Sequence, residues 1–167
     1  MNKFINRFIS PKLMKGFSLL ELLIVIAVIA ILAGTGAGFY MNYGKSVEIK
    51  SVSQSMLFDL KMAQSKSMIG EGGLKWGVHF VNGAKDYYEI LSTTETGTFV
   101  YSTSNKTIIS TVYLPSSVSF STPTLGNSTD IIFNKISGGT SLSSVSIIAT
   151  NITMTISVST IGNISVQ

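Results

Sequence analysis

Cysteine is absent from this chain of 167 residues. That excludes disulfides, thiolate metal sites and a cysteine nucleophile, so an exported domain must hold together by packing alone. Histidine occurs once, at His79, and a lone imidazole makes neither a zinc site nor a catalytic triad. Proline is confined to Pro11, Pro115 and Pro123, which leaves residues 17–69 free of the commonest helix breaker. No acid precedes Gly16, and no Lys or Arg follows Lys135. Beyond residue 21 the acids are Glu48, Asp59, Glu71, Asp86, Glu89, Glu95 and Asp130. They are scattered, without the paired spacing of a glycosidase or a metal site. The expectation is a chain that is not an enzyme, with no cofactor and no metal.

What is present begins with charge placement. The formal net charge is +4, from twelve Lys and Arg against eight acids. Four of the twelve, Lys3, Arg7, Lys12 and Lys15, precede Gly16, leaving eight cations against eight acids after it. The surplus is therefore a topology signal that holds the leading segment in the cytoplasm. It is not a nucleic-acid patch, which needs several cation–phosphate contacts. The length allows one membrane segment and one small domain.

The stretch that organises the chain is Lys15-Gly16-Phe17-Ser18-Leu19-Leu20-Glu21 and the apolar run behind it. Residues 22–33 are all Leu, Ile, Val or Ala, and 34–39 add only Gly, Thr, Ala and Phe. From 17 to 40 the run reaches the roughly 20 residues a helix needs to cross a bilayer. Glu21 breaks it. An acid at mid-bilayer costs about 2.5–3.5 kcal/mol, less near the interface, so it calls for a partner. Cleavage between Gly16 and Phe17 would create an α-amine four residues before Glu21, cationic with a pKa of about 8. The two charges attract strongly in apolar surroundings. They can pair within one chain or between neighbours packed side by side, and the second would set the register of an assembly.

At these residues the chain resembles the type IV pilin and pseudopilin family, whose members carry Lys-Gly, then Phe-Ser-Leu-Leu-Glu and an apolar helix. The resemblance implies cleavage after Gly16 by a prepilin peptidase and methyltransferase, N-methylation of Phe17, and Glu21 as the carboxylate that meets a neighbour's N-terminus. Two competing readings are an uncleaved signal anchor and an ordinary secretory signal peptide, cut near Thr35-Gly36-Ala37. The signal-peptide reading leaves Glu21 unexplained.

The pattern from 17 to about 69 predicts one long helix. Its second half turns amphipathic, with Ile49, Val52, Met56, Leu60 and Ala63 at three- and four-residue steps and Leu57 alongside. Gly34, Gly36, Gly38 and Gly44 interrupt it, each costing about 1 kcal/mol against Ala in water. They serve either close helix packing or a flexible segment that unwinds when the subunit leaves the bilayer. Gly70-Glu71-Gly72-Gly73 ends the helix. No strand precedes that loop and no Gly-Lys-Ser/Thr is present, so it is not a phosphate cradle.

From Lys75 the pattern changes to strands: 76–81, a tight hairpin at Asn82-Gly83, 87–91, 98–101, 107–114, 118–121, 130–133, 145–149, 152–158 and 164–166. The expected fold class is α+β: a long N-terminal helix packed on a C-terminal antiparallel β-rich head. The expected organisation is a leader (1–16), a transmembrane and assembly helix (17–40), its amphipathic continuation (41–70) and the head (74–167). The head resembles the GspH/FimT type of pseudopilin at Asp59-Leu60-Lys61-Met62-Ala63-Gln64-Ser65, Leu114-Pro115, Ile132-Phe133 and the paired Ile-Ser-Val runs at 156–158 and 164–166. Trp76, Tyr87, Tyr88, Phe99, Tyr101 and Tyr113 are expected in core and cross-strand packing.

Two functions follow. One is a structural subunit, a minor prepilin anchored in the inner membrane with its head outside the cytoplasm, then built into a type IV pilus or type II secretion pseudopilus. Its partners would be prepilin peptidase, other pilins, membrane lipid and an assembly platform. The other is a membrane-anchored binding module that never polymerises.

Overall fold

The computed structural model describes residues 16–167, with the side chains of 36–41 outside the described set. The leader, apart from Gly16, lies outside the described residues. The chain divides into two units, Met1–Tyr40 and Met41–Gln167. One helix, α1 (Leu19–Met68), contributes to both.

In the first unit the described part of α1 is apolar on every side. Its large side chains from Leu19 to Leu32 are 43–82% exposed. The hydroxyl of Thr35 turns back onto the carbonyls of Ile31 (3.1 Å) and Leu32 (3.2 Å). This satisfies the polar group within the helix itself.

In the second unit the helix buries one stripe: Ile49, Ser53, Met56, Leu60, Ala63 and Ser67. The steps of three and four are those the apolar pattern predicts. Val52 packs half-buried against the core, and serines occupy two positions of the stripe. Ser53 donates to Lys50 O at 2.8 Å, and Ser67 to Phe133 O at 2.7 Å. A serine satisfied in this way is tolerated in a core. Gly70, at φ 67°, stops the helix in the left-handed conformation, which glycine adopts without a Cβ penalty. A single 3-10 turn, Glu71–Gly73, follows.

The head is two antiparallel sheets of four strands. In the first, the order is β3 (Lys106–Tyr113), β2 (Tyr87–Thr93), β1 (Lys75–Val81), β5 (Ser128–Phe133). In the second it is β4 (Ser119–Thr122), β6 (Ser143–Ala149), β7 (Ile152–Val158), β8 (Ile164–Val166). The helix stripe shares one core with Val78, Phe80, Tyr88, Ile131 and Phe133 of the first sheet and Val145, Ile147 and Ile156 of the second. This is the α+β architecture expected, with the sheets packed on the amphipathic part of the helix.

Two expectations are corrected. Residues 98–101 form no strand. Val100 is closed into a local turn, its carbonyl accepting from Ser104 N (2.8 Å) and its N–H donating to Ser104 Oγ (3.0 Å). The backbone groups a ladder would use are consumed locally. Asn82-Gly83 is not a two-residue hairpin either. Val81 pairs with Tyr87, leaving a loop of 82–86. Asn82 is buried, and its amide donates to Phe120 O (3.0 Å) and Pro123 O (2.7 Å). Those tertiary partners override the local turn preference.

Candidate functional site

The predicted processing site lies at the start of α1. Gly16 is exposed and a Cβ there would meet nothing within 4 Å. Phe17 is 77% exposed. Both precede the first helical residue, Leu19, so Gly16 and Phe17 lie exposed outside the helix. Ser18 caps the helix, its Oγ accepting from Glu21 N at 3.1 Å while its carbonyl accepts from Leu22 N at 3.1 Å.

That geometry uses the backbone of Glu21, not its carboxylate. Ser18 and Glu21 have the Ser-x-x-Glu spacing of a capping box, and an acid in the first turn complements the positive end of the helix dipole. The signal was present in the residues themselves, in Ser18-Leu19-Leu20-Glu21. Capping alone does not require an acid, since Gln fills the same position in the motif. Among the described residues no cation lies within ion-pair distance of Glu21. Phe17 stands outside the helix, so helical i,i+4 stacking does not place its nitrogen beside the carboxylate. Gly34 has open space around it, and the helix continues through Gly34, Gly36 and Gly38. Within the expected 17–40 span the side chains of α1 are described only from Leu19 to Thr35, and among the described residues no helix is long and apolar enough to cross a membrane.

The head holds a second cluster that sequence spacing did not reveal. Strand register places Asp130 and Glu89 on either side of His79, and Thr111 beyond Glu89. His79 is buried, with Nδ1 2.5 Å from Asp130 Oδ1. The Tyr101 ring stacks on the imidazole, centroids 3.6 Å apart and 8° from parallel. Tyr101 donates to Glu89 Oε2 at 2.5 Å, Thr111 donates to Oε1 at 3.4 Å, and Lys106 Nζ lies 4.0 Å over the ring. Burial, and then the bond to Glu89, raise the Tyr101 phenol pKa above its ordinary value. The row fastens residues 94–105 across the outer face of β1 and β2. The carboxylate of Glu89 is occupied by hydroxyls and one imidazole face is covered, so the arrangement reads as a latch. Among the described residues no group of three or more His, Cys, Asp or Glu is placed to hold a metal ion.

Four of the six aromatics pack as expected, whereas Tyr101 stacks on His79 from outside the strands. Trp76 and Tyr88 enter the core, and Tyr87 and Tyr113 pair across strands at 5.6 Å.

Over residues 12–37 the chain is similar to the prokaryotic N-terminal methylation motif. That match supports a type IV pilin-type precursor. No curated protein and no solved structure matches the chain.

Proposed function

We propose that the chain is a minor prepilin of the GspH/FimT type, cut after Gly16, methylated on Phe17, and held in the inner membrane by residues 17–40 until assembly into a type IV pilus or secretion pseudopilus. The observation that carries this reading is the bare apolar rod of α1. From Leu19 to Leu32 its large side chains are 43–82% exposed, which water disfavours by about 25 cal/mol for each Å² of apolar surface. Lipid covers that surface before assembly, and like helices cover it afterwards. Glu21 sits at the end where a neighbour's methylated ammonium supplies the missing countercharge, and each group is costly to leave alone in apolar surroundings. Gly34, Gly36 and Gly38 give the rod a segment of low helix propensity for the transfer.

The membrane-anchored module that never polymerises is the second reading, supported by the single core that residues 49–63 of α1 form with both sheets. A Glu21→Val variant separates the two. Loss of filament incorporation with processing intact is expected, whereas unchanged incorporation sinks the charge-pair mechanism. The mass of the mature N-terminal peptide tests the processing step: N-methyl-Phe17 is expected, and a start at Gly38 would indicate an ordinary signal peptide.

A further inference from the structure

Four strands of the head are entered in the same way. Asn105, Asn127, Asn151 and Asn163 stand immediately before β3, β5, β7 and β8. Each has Ser or Thr two positions on: Thr107, Thr129, Thr153 and Ser165. Each triplet fits the Asn-x-Ser/Thr pattern of an N-linked sugar acceptor. Turn preference alone places Asn at such positions, and strand preference places Thr after it, so the spacing by itself decides nothing. All four asparagines are exposed, and their bonding separates them. Asn127 is engaged, its Nδ2 donating to Thr124 Oγ1 at 2.9 Å. Asn105 adjoins Lys106, whose Nζ lies 4.0 Å over the Tyr101 ring. The side chains of Asn151 and Asn163 have no hydrogen-bond partner among the described residues. Asn163 bonds Ser159 through its backbone, its N donating to Ser159 Oγ at 3.0 Å.

Asn151 and Asn163 also share an unusual surface. The second sheet has no charged side chain in β4, β6, β7 or β8, whereas the first carries Lys75, Glu89, Lys106 and Asp130. No Lys, Arg, Asp or Glu follows Lys135. A surface kept soluble by charge holds roughly 25–35% of those four residue types. Here water meets Ile136, Leu142 and Ile161 at 83%, 74% and 81% exposure, and Ile152 at 37%. Ile152 adjoins Asn151, and Ile161 lies two residues before Asn163. The two asparagines bracket β7, whose length is about 23 Å at strand rise. Asn151 lies in the tip of the β6–β7 hairpin, beyond the last pair Ala149–Ile152, so a group on its side chain leaves the ladder intact.

We propose that Asn151 and Asn163 are acceptors of N-linked sugar, which hydrates the uncharged sheet at both ends of β7. In the transfer the side-chain nitrogen bonds the anomeric carbon of a sugar carried on a lipid pyrophosphate. The bond from that carbon to the pyrophosphate oxygen breaks, and one amide proton passes to a base of the transferase. Thr153 is exposed along with Asn151, whereas Ser165 is half-buried, so Asn151 is the fuller acceptor. The proposal rests on export of the head, which brings it to a lipid-linked donor, and not on filament assembly.

No Lys or Arg follows Lys135, so trypsin releases residues 136–167 as one peptide holding both acceptors. Taken from the full chain in its native cell envelope, that peptide is expected to exceed its sequence mass by one or two whole sugar chains. Asn151→Gln should remove at least half of the modification, and Asn151→Gln with Asn163→Gln all of it. Thr153→Ala should free Asn151 of sugar with the acceptor still in place, and Thr153→Ser should keep it. Should glutamine at the hairpin tip impair folding, the Thr153 pair reads the same chemistry. A peptide at its sequence mass, in a chain that has lost residues 1–16, overturns the proposal and leaves the export reading standing. Sugar retained in the double variant lies on Ser or Thr and overturns it, as does sugar confined to Asn105 or Asn127. A chain that keeps residues 1–16 and carries no sugar removes the export reading together with the proposal.

Discussion

Tyr88, on β2, donates its phenol proton to Asp59 on the helix at 2.7 Å, so one hydrogen bond joins the middle of the first sheet to α1. The Tyr88 ring is buried, 2% exposed, and packs against Phe80 with centroids 5.8 Å apart. Burial first, and then the bond to Asp59, hold the phenol pKa well above its ordinary 10.0. In the unfolded chain Tyr88 releases its proton near pH 10, while the folded chain retains it. Stability is therefore complete below about pH 10 and falls as pH rises above it, because the unfolded state loses its proton first. Tyr88→Phe should lower stability by about 1–2 kcal/mol at neutral pH, the range for a bond to a charged group discounted for a half-exposed Asp59. It should also flatten the loss above pH 10. Thermal melts across pH 7–11 check both, and an unchanged alkaline slope would assign it to Tyr87 or Tyr101, whose phenols are raised as well.

Glycines at two positions should respond oppositely to alanine. A Cβ on Gly77 would lie 2.4 Å from Ile131 O and 2.8 Å from Ile132 Cα. Both atoms belong to the paired strand β5, so relief requires moving backbone. Gly77→Ala should cost at least about 2 kcal/mol, in the range of core overpacking. Gly34→Ala meets nothing and should raise helix stability by about 1 kcal/mol. If Gly34→Ala leaves the head's melt unchanged yet reduces filament incorporation, the weak-segment role of the glycines gains direct support. Unchanged incorporation favours simple helix packing.

Ser18 and Glu21 can be separated by their chemistry. Ser18→Ala removes the cap and should weaken the helix start by about 1 kcal/mol, leaving incorporation in place. Glu21→Gln keeps a side chain suited to the capping box and removes the charge. It should abolish incorporation while cleavage proceeds. Unchanged incorporation in Glu21→Gln would show that the charge is dispensable and that capping suffices.

Tyr101 should prove to be the fastener of the 94–105 segment. Tyr101→Ala removes the stack on His79 and the bond to Glu89 together, and amide exchange across 94–105 should quicken by at least tenfold while β1 and β2 stay protected. Tyr101→Phe keeps the stack and loses only the bond, so it should fall between. Protection unchanged in both variants would mean that Thr93, whose Oγ1 donates to Asn105 O at 2.6 Å, secures the segment.

Much of this molecule is legible without coordinates, because local rules carry it. The helix needs only its apolar run, its three-and-four stripe and Gly70 to stop it. β7 and β8 occupy the expected bounds, 152–158 and 164–166, because β-branched residues and a glycine turn act over short distances. Ser18 could have been read from its spacing to Glu21. By contrast, Ser53 and Ser67 enter the core because Lys50 O and Phe133 O are there to accept their protons. Asn82 abandons a tight turn because Phe120 of β4 and the adjoining Pro123 offer it two carbonyls. The row Asp130, His79, Glu89 and Thr111 exists only through strand register, which joins positions far apart in the chain. The residues alone determined a bare apolar helix with an acid near its tip and a β-rich head. The tertiary structure decided where polar side chains found partners, since a buried hydrogen bond needs a second group brought from elsewhere in the chain.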